Sequence, residues 1–132
     1  MKLFDTRTGT RQEFTPSGEE VKMYVCGPNL YGPCHVGHAL SFVIFDVLRR
    51  YLEYCGYRVR HVQNFTDIED RIIKEANQQG RTIGDLADQY IQRFLQEMGE
   101  LNVLRAHHYP RATESIGDMV EIIQKLIDKG HA

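Results

Sequence analysis

The chain has 132 residues, 42% hydrophobic and 26% charged, which fits one domain with a real core and argues against disorder or a fibrous fold. Sixteen Lys+Arg against 18 Asp+Glu give a formal net charge of −2, which excludes a generally basic surface that coats DNA by charge alone. No apolar run approaches the roughly 18 residues that span a bilayer, the charged start Met1-Lys2-Leu3-Phe4-Asp5 does not read as a signal peptide, and three cysteines make no disulfide framework. A cytoplasmic globular protein is expected, with neither DNA nor a membrane as partner.

Two short alternating runs, Lys2–Asp5 and Arg11–Phe14, flank Thr8-Gly9 and predict a hairpin. Pro16-Ser17-Gly18 predicts a turn, so residues 1–20 form an N-terminal hairpin extension and the main body begins at residue 21. Lys22–Cys26 reads as a buried strand, and Gly27–Pro33 is turn-like. The next segment carries Val36, Leu40, Val43, Val47 and Tyr51, with Leu48, Leu52 and Cys55, at helical spacing and stops at Gly56. Tyr57–Gln63 reads as a second strand.

Strand, glycine-containing loop, helix and strand make a βαβ unit, whose strands run parallel. The loops that follow the two strands, Cys26–His38 and Asn64–Asp67, then open on one carboxyl edge, where open α/β sheets bind ligands. Beyond them, Thr66 and Glu69 fit a capping box for a helix with Ile68, Ile72, Ile73 and Ala76 that closes at Gly80. A helix from Ile83 to Met98 stops at Gly99, Leu101–Leu104 suggests a third strand, and a last helix runs from about Thr113 to Gly130. A strand would normally follow in such a series.

His35-Val36-Gly37-His38 stands at the mouth of the long helix, where unpaired N–H groups and the helix dipole attract phosphate. Gly37 leaves room for a nucleotide against the backbone, and the two imidazoles on one face can donate to a phosphate chain or its transition state. The dipole favours neutral rings there. The same histidines also suit capping or packing. Cys26 reads as core filler or as a zinc ligand whose partners lie far away in sequence, Cys34 as a site wall or packing, and Cys55 as core. Thr66 suits a substrate contact or a helix cap, and Asp67 and Asp70 suit an amine or the helix dipole. His107-His108 and Arg111 read as surface.

Together the segments Met23–Pro28, His35–His38, Phe45–Leu52, Asn64–Asp70 and Pro110–Glu114 resemble the N-terminal part of the cysteinyl-tRNA synthetases, a class I aminoacyl-tRNA synthetase family. The resemblance implies an α/β chain, the N-terminal half of a Rossmann-type nucleotide-binding fold with parallel strands. Residues 21–132 would be the first half of the catalytic domain, ending before the inserted domain. It implies ATP-dependent ligation of cysteine to its tRNA through cysteinyl-adenylate, with Mg accompanying the ATP. His35, Gly37 and His38 match the ATP-binding signature, with both histidines catalytic. Gly27 and Thr66 match positions lining the amino-acid pocket, and Cys26 matches the first ligand of a Zn that takes the substrate thiolate.

Three departures stand out: Asn29 where the family has threonine near the substrate, Leu40 after the signature, and Gly32-Pro33 in the preceding loop. The family's remaining zinc ligands, its Lys-Met-Ser-Lys-Ser loop and its anticodon-reading region lie downstream, so the 132 residues are expected to be inactive alone and to self-associate through an open apolar face. Two other readings are a free-standing nucleotide- or tRNA-binding paralogue, and the related ligase joining cysteine to an amino-sugar thiol precursor.

Overall fold

The computed structural model describes residues 1–16 and 18–132. Strands β1 (Lys2–Asp5) and β2 (Thr10–Glu13) pair antiparallel, and Gly9 at φ +68° makes the turn, so the expected hairpin forms. The expected Pro16-Ser17-Gly18 turn includes Ser17, which lies outside the described residues. Strand β3 (Glu20–Val25), helix α1 (Val36–Tyr54) and strand β4 (Arg58–Gln63) form the βαβ unit, with β3 and β4 parallel in the register Glu20↔Arg58 to Val25↔Gln63. Helices α2 (Asp70–Gln79) and α3 (Ile83–Glu100) follow, then a 3-10 turn (Thr113–Ser115) leading into α4 (Ile116–Asp128).

The main core joins Val25, Leu30, Phe42 and Phe65 to Ile72 and Ala76 of α2 and to Leu86, Ile91, Phe94 and Met98 of α3. Phe94 meets Phe42 and Phe65 edge-on, with ring centroids 5.0 and 5.8 Å apart, the favoured geometry for aromatic quadrupoles. A smaller cluster of Val21, Leu52 and Val59 takes in Phe14, which docks the end of the hairpin edge-on against Tyr57. No helix among the described residues is long and apolar enough to cross a membrane.

Several expectations are corrected. The stripe of Val36, Leu40, Val47 and Tyr51 is not the core face of α1: Val36 is 86% and Leu40 62% exposed, while α1 buries Phe42, Asp46, Arg49 and Leu52. Cys55 is exposed at the helix end rather than core. Thr66 caps no helix; α2 starts at Asp70 behind Glu69, whose side chain makes no cap bond. Leu101–Leu104 is not a strand, because Asn102 turns the chain at φ +58°. The third extended segment lies further on, where Val62 bridges His108 and Phe65 bridges Arg111, both parallel.

His107 and His108 are exposed, as expected, but the backbone of their segment is bonded to β4. The His107 N–H donates to the His61 carbonyl at 2.8 Å, the Gln63 N–H to His108 O at 3.0 Å and the Phe65 N–H to Pro110 O at 2.9 Å. Buried charges of α1 hold its approach. Asp46 Oδ1 accepts from the Leu104 N–H at 3.0 Å and its Oδ2 from Arg50 Nε at 2.7 Å, while Arg49 donates to the Arg105 carbonyl at 2.7 Å. Arg111, read as surface, forms a partly exposed ion pair with Asp88 at 2.6 Å. Asp67 accepts from the Thr113 N–H at 2.9 Å and hydroxyl at 2.6 Å, so it anchors the start of the last helical segment.

His61 is buried on β4 with neither ring nitrogen hydrogen-bonded. Burial, then the Arg49 cation and His107, hold it below the ordinary imidazole value, against a weaker opposing pull from Asp46. The folded chain therefore binds fewer protons at this ring than the unfolded chain does. Its full stability is present above the unfolded value of about 6.5 and is lost as pH falls through the lower folded value. Urea midpoints are expected to fall between about pH 7 and pH 5, and His61→Phe to flatten that slope. A slope unchanged by His61→Phe would refute this assignment.

Candidate active site

The end of β3 and the end of β4 lie side by side, as parallel pairing requires. Gly27 is in such close approach that a Cβ there would fall 1.5 Å from the Asn64 carbonyl oxygen. No other residue type fits without moving one strand end. The Gly27 N–H donates to Asn64 Oδ1 at 2.9 Å, and the Tyr24 hydroxyl donates to the same oxygen at 3.0 Å. Asn64 Nδ2 donates to Thr66 Oγ1 at 3.2 Å. Thr66 is also bridged in parallel to Asn29: its N–H donates to Pro28 O and its carbonyl accepts from the Leu30 N–H, both at 3.4 Å.

Helix α1 opens with an unusual capping box built from two imidazoles. His35 is the N-cap, with extended backbone at φ −125°, and its Nδ1 accepts from the Gly37 N–H at 3.1 Å. His38 Nδ1 accepts in turn from the His35 N–H at 3.4 Å. The rings stack at 3.9 Å and 19°. Gly37 leaves room for this ring position, since a Cβ there would meet the His35 ring at 3.0 Å and push it by a few tenths of an ångström. A nitrogen that accepts from an N–H carries no proton, so each neutral ring holds its proton on Nε2 and offers it as a donor. Burial, then His35, lowers the proton affinity of His38. The neutral donor ring expected from the sequence is thus favoured, through desolvation and a neighbouring imidazole.

Cys26, Gly27, Asn29, Tyr31, His38 and Phe42 line one hollow of about 260 Å³ at this edge. Of the sequence-identified residues, the fold brings Cys26, Gly27, Asn29 and His38 to the hollow, Thr66 beside Asn29, and His35 with Gly37 onto the adjoining helix start. Sequence reasoning missed Asn64 as the tie between the strands; its place directly after the second strand was the available signal. Cys34 is half-buried against the core, and burial and Glu97 push its thiol up to about 11, which suits packing rather than ligation. The Cys26 thiol is exposed, and the described residues contain no group of three or more His, Cys, Asp or Glu able to hold a metal ion. One thiol is one of the four ligands zinc takes, so these residues do not fit a closed zinc site.

Residues 13–132 match the family model for the class I (C) tRNA synthetase catalytic domain. The chain belongs to this family. It is 53% identical over 133 residues to a cysteine–tRNA ligase of Caldicellulosiruptor saccharolyticus, a match covering all of this chain and 29% of that protein. The chain thus spans under a third of that relative's length. Among solved structures, the ternary LeuRS–tRNA–LeuAMS complex of Agrobacterium radiobacter K84 superposes with a TM-score of 0.72 at 20% identity, over 89% of this chain and 16% of that one. Mycobacterium tuberculosis methionyl-tRNA synthetase bound by methionyl-adenylate gives 0.66 at 20% identity, over 71% of this chain and 18% of that one. These likenesses establish the shared class I synthetase fold, the Rossmann-type parallel sheet expected from the sequence.

The capping box makes a spectroscopic prediction. In ¹H–¹⁵N spectra at neutral pH, His35 and His38 are expected as Nε2–H tautomers, with His38 titrating below the ordinary imidazole range. An Nδ1–H signal from either ring would contradict the geometry. A second prediction concerns the strand ends: Gly27→Ala is expected to destabilise the chain by about 3 kcal/mol in urea unfolding, because backbone cannot yield as a side chain does.

Proposed function

We propose that this chain supplies the first half of the active site of a cytoplasmic cysteine–tRNA ligase, with residues 1–20 as an N-terminal extension and 21–132 as the start of the catalytic domain. The observation that carries the reading is the convergence of Cys26, Gly27, Asn29 and His38 on one hollow beside a helix N-terminus. The 53% identity to a cysteine–tRNA ligase favours it over an amino-sugar thiol ligase or a free-standing binding module.

In this reading ATP lies with its phosphates at the start of α1. The Nε2–H groups of His35 and His38 donate to phosphate oxygens as negative charge builds during attack by the cysteine carboxylate, and Gly37 lets the chain approach. The products are cysteinyl-adenylate and pyrophosphate, and the acyl group then passes to tRNA. Gly27, Asn29 and Thr66 border the amino acid. Cys26 matches a zinc ligand of the cysteinyl-tRNA synthetases; were a zinc held there, Cys26 would supply one thiolate, and the metal would favour a substrate thiol over a hydroxyl.

In the full-length protein carrying this chain, cysteine-dependent ATP–pyrophosphate exchange is expected. His38→Ala should lower its kcat about 10²–10³-fold. Absence of exchange with cysteine, or equal exchange with serine, would overturn the reading. The 132 residues alone should charge no tRNA, since half of an ATP site forfeits the positioning that catalysis needs. They should also self-associate through the exposed faces of α1 (Leu40, Ile44, Val47) and α4 (Val120, Ile123, Ile127). Sedimentation should show concentration-dependent mass, reduced by Leu40→Glu with Val47→Glu; a monomer at all concentrations would contradict it.

A further inference from the structure

We propose that Arg71 and Lys74, beside Tyr31, form a phosphate site that takes the sugar–phosphate backbone at the acceptor end of the tRNA. The inference deepens the functional reading above and rests on it.

A second hollow, of about 280 Å³, shares a wall with the one described above: Tyr31 lines both, and Arg71, Lys74, Glu75 and Gln78 of α2 complete it. Helical spacing offers each cation a carboxylate one turn away, Asp70 for Lys74 and Glu75 for Arg71. Neither pair closes. Arg71 lies instead over the Tyr31 ring, 5.0 Å from its centroid, and Glu75 accepts from Gln79 at 2.7 Å. The ion pairs among the described residues include neither Arg71 nor Lys74. Arg71 also stands in the first turn of α2, where the helix dipole disfavours a cation. Two exposed, unpaired cations thus line one hollow against the local electrostatic preference of their own helix.

A guanidinium held over a ring keeps its N–H donors for an anion, and its fork matches two oxygens of a phosphate. The Lys74 ammonium adds a point charge beside it. Cations next to an aromatic wall are also the means by which proteins hold a single nucleic-acid strand. In the functional reading the ATP phosphates lie at the start of α1. The second site is left for the other polyanion that must reach this place, the tRNA whose end accepts the cysteinyl group.

In the full-length protein carrying this chain, Arg71→Gln and Lys74→Gln should each raise the KM for tRNA in cysteine charging roughly tenfold, and Arg71→Lys should recover part of that loss. The dependence of log Kd for tRNA on log salt should flatten by about 0.7–1 for each cation removed. Cysteine-dependent ATP–pyrophosphate exchange, measured without tRNA, should keep both KM values within about twofold of wild type, at an unchanged thermal midpoint. A tRNA lacking its single-stranded 3′ end should bind wild type and both variants alike.

A wild-type KM for tRNA in both variants would overturn the proposal. So would a raised KM for ATP in exchange, which would assign the site to ATP, or equal weakening toward the shortened tRNA, which would place the contact away from the acceptor end. A lowered midpoint in both variants alongside the raised KM would mark a merely structural role and overturn it too. A wild-type protein without cysteine-dependent exchange would overturn the functional reading, and this proposal with it; wild-type charging untouched by either substitution overturns this proposal alone.

Discussion

Gly27 and Asn64 occupy the ends of two parallel strands, and a single added carbon at Gly27 would fall 1.5 Å from the Asn64 carbonyl oxygen. That approach has two consequences. It brings the loop after β3 and the loop after β4 within direct hydrogen-bonding reach, so the Asn64 amide can hold Gly27 on one side and Thr66 on the other. It also fixes where the chain leaves β3, and hence where Cys26, Asn29 and the start of α1 come to lie around one hollow. A parallel pair cannot be closed by a tight turn, so α1 must cross over, and its N-terminus returns to this same edge.

At that N-terminus, the two roles open to the histidines in the sequence turn out to be compatible, because an imidazole has two nitrogens. Nδ1 of each ring takes up a backbone N–H of the first turn, which would otherwise lack a partner. This local bond sets the tautomer and leaves Nε2–H as a donor. Gly37 has a matching local cause: it clears the place that the His35 ring occupies.

The hairpin, the βαβ unit, its parallel sense and the shared carboxyl edge were all legible, because alternation, glycine punctuation and crossover geometry are local or nearly local signals. The third extended segment was not. His107-His108-Tyr109-Pro110 has no strand pattern, and Pro110 lacks an N–H for the ladder; its pairing is created by bonds to β4 some 46 residues away in sequence. The Thr66 capping box failed for a related reason: Thr66 is still engaged with Pro28 and Leu30, so the chain cannot turn into a helix until Asp70. Asn64 offered only its place directly after a strand, since one asparagine there has no partner until the fold supplies Gly27.

Helix α1 shows how such long-range demands override periodicity. Its inner face carries Asp46 and Arg49 rather than another Val or Leu. Burying charge is costly unless hydrogen bonds replace water, and both residues find them on the incoming backbone at Leu104 and Arg105. An apolar residue there could pack but could not satisfy a strandless segment's N–H and C=O groups. These charges hold the segment where it pairs with β4, and Asp67 then holds Thr113 at its far end. The inner face of α1 thus fastens an irregular chain through Asp46 and Arg49, while Leu40, Ile44 and Val47 stand exposed on its outer face.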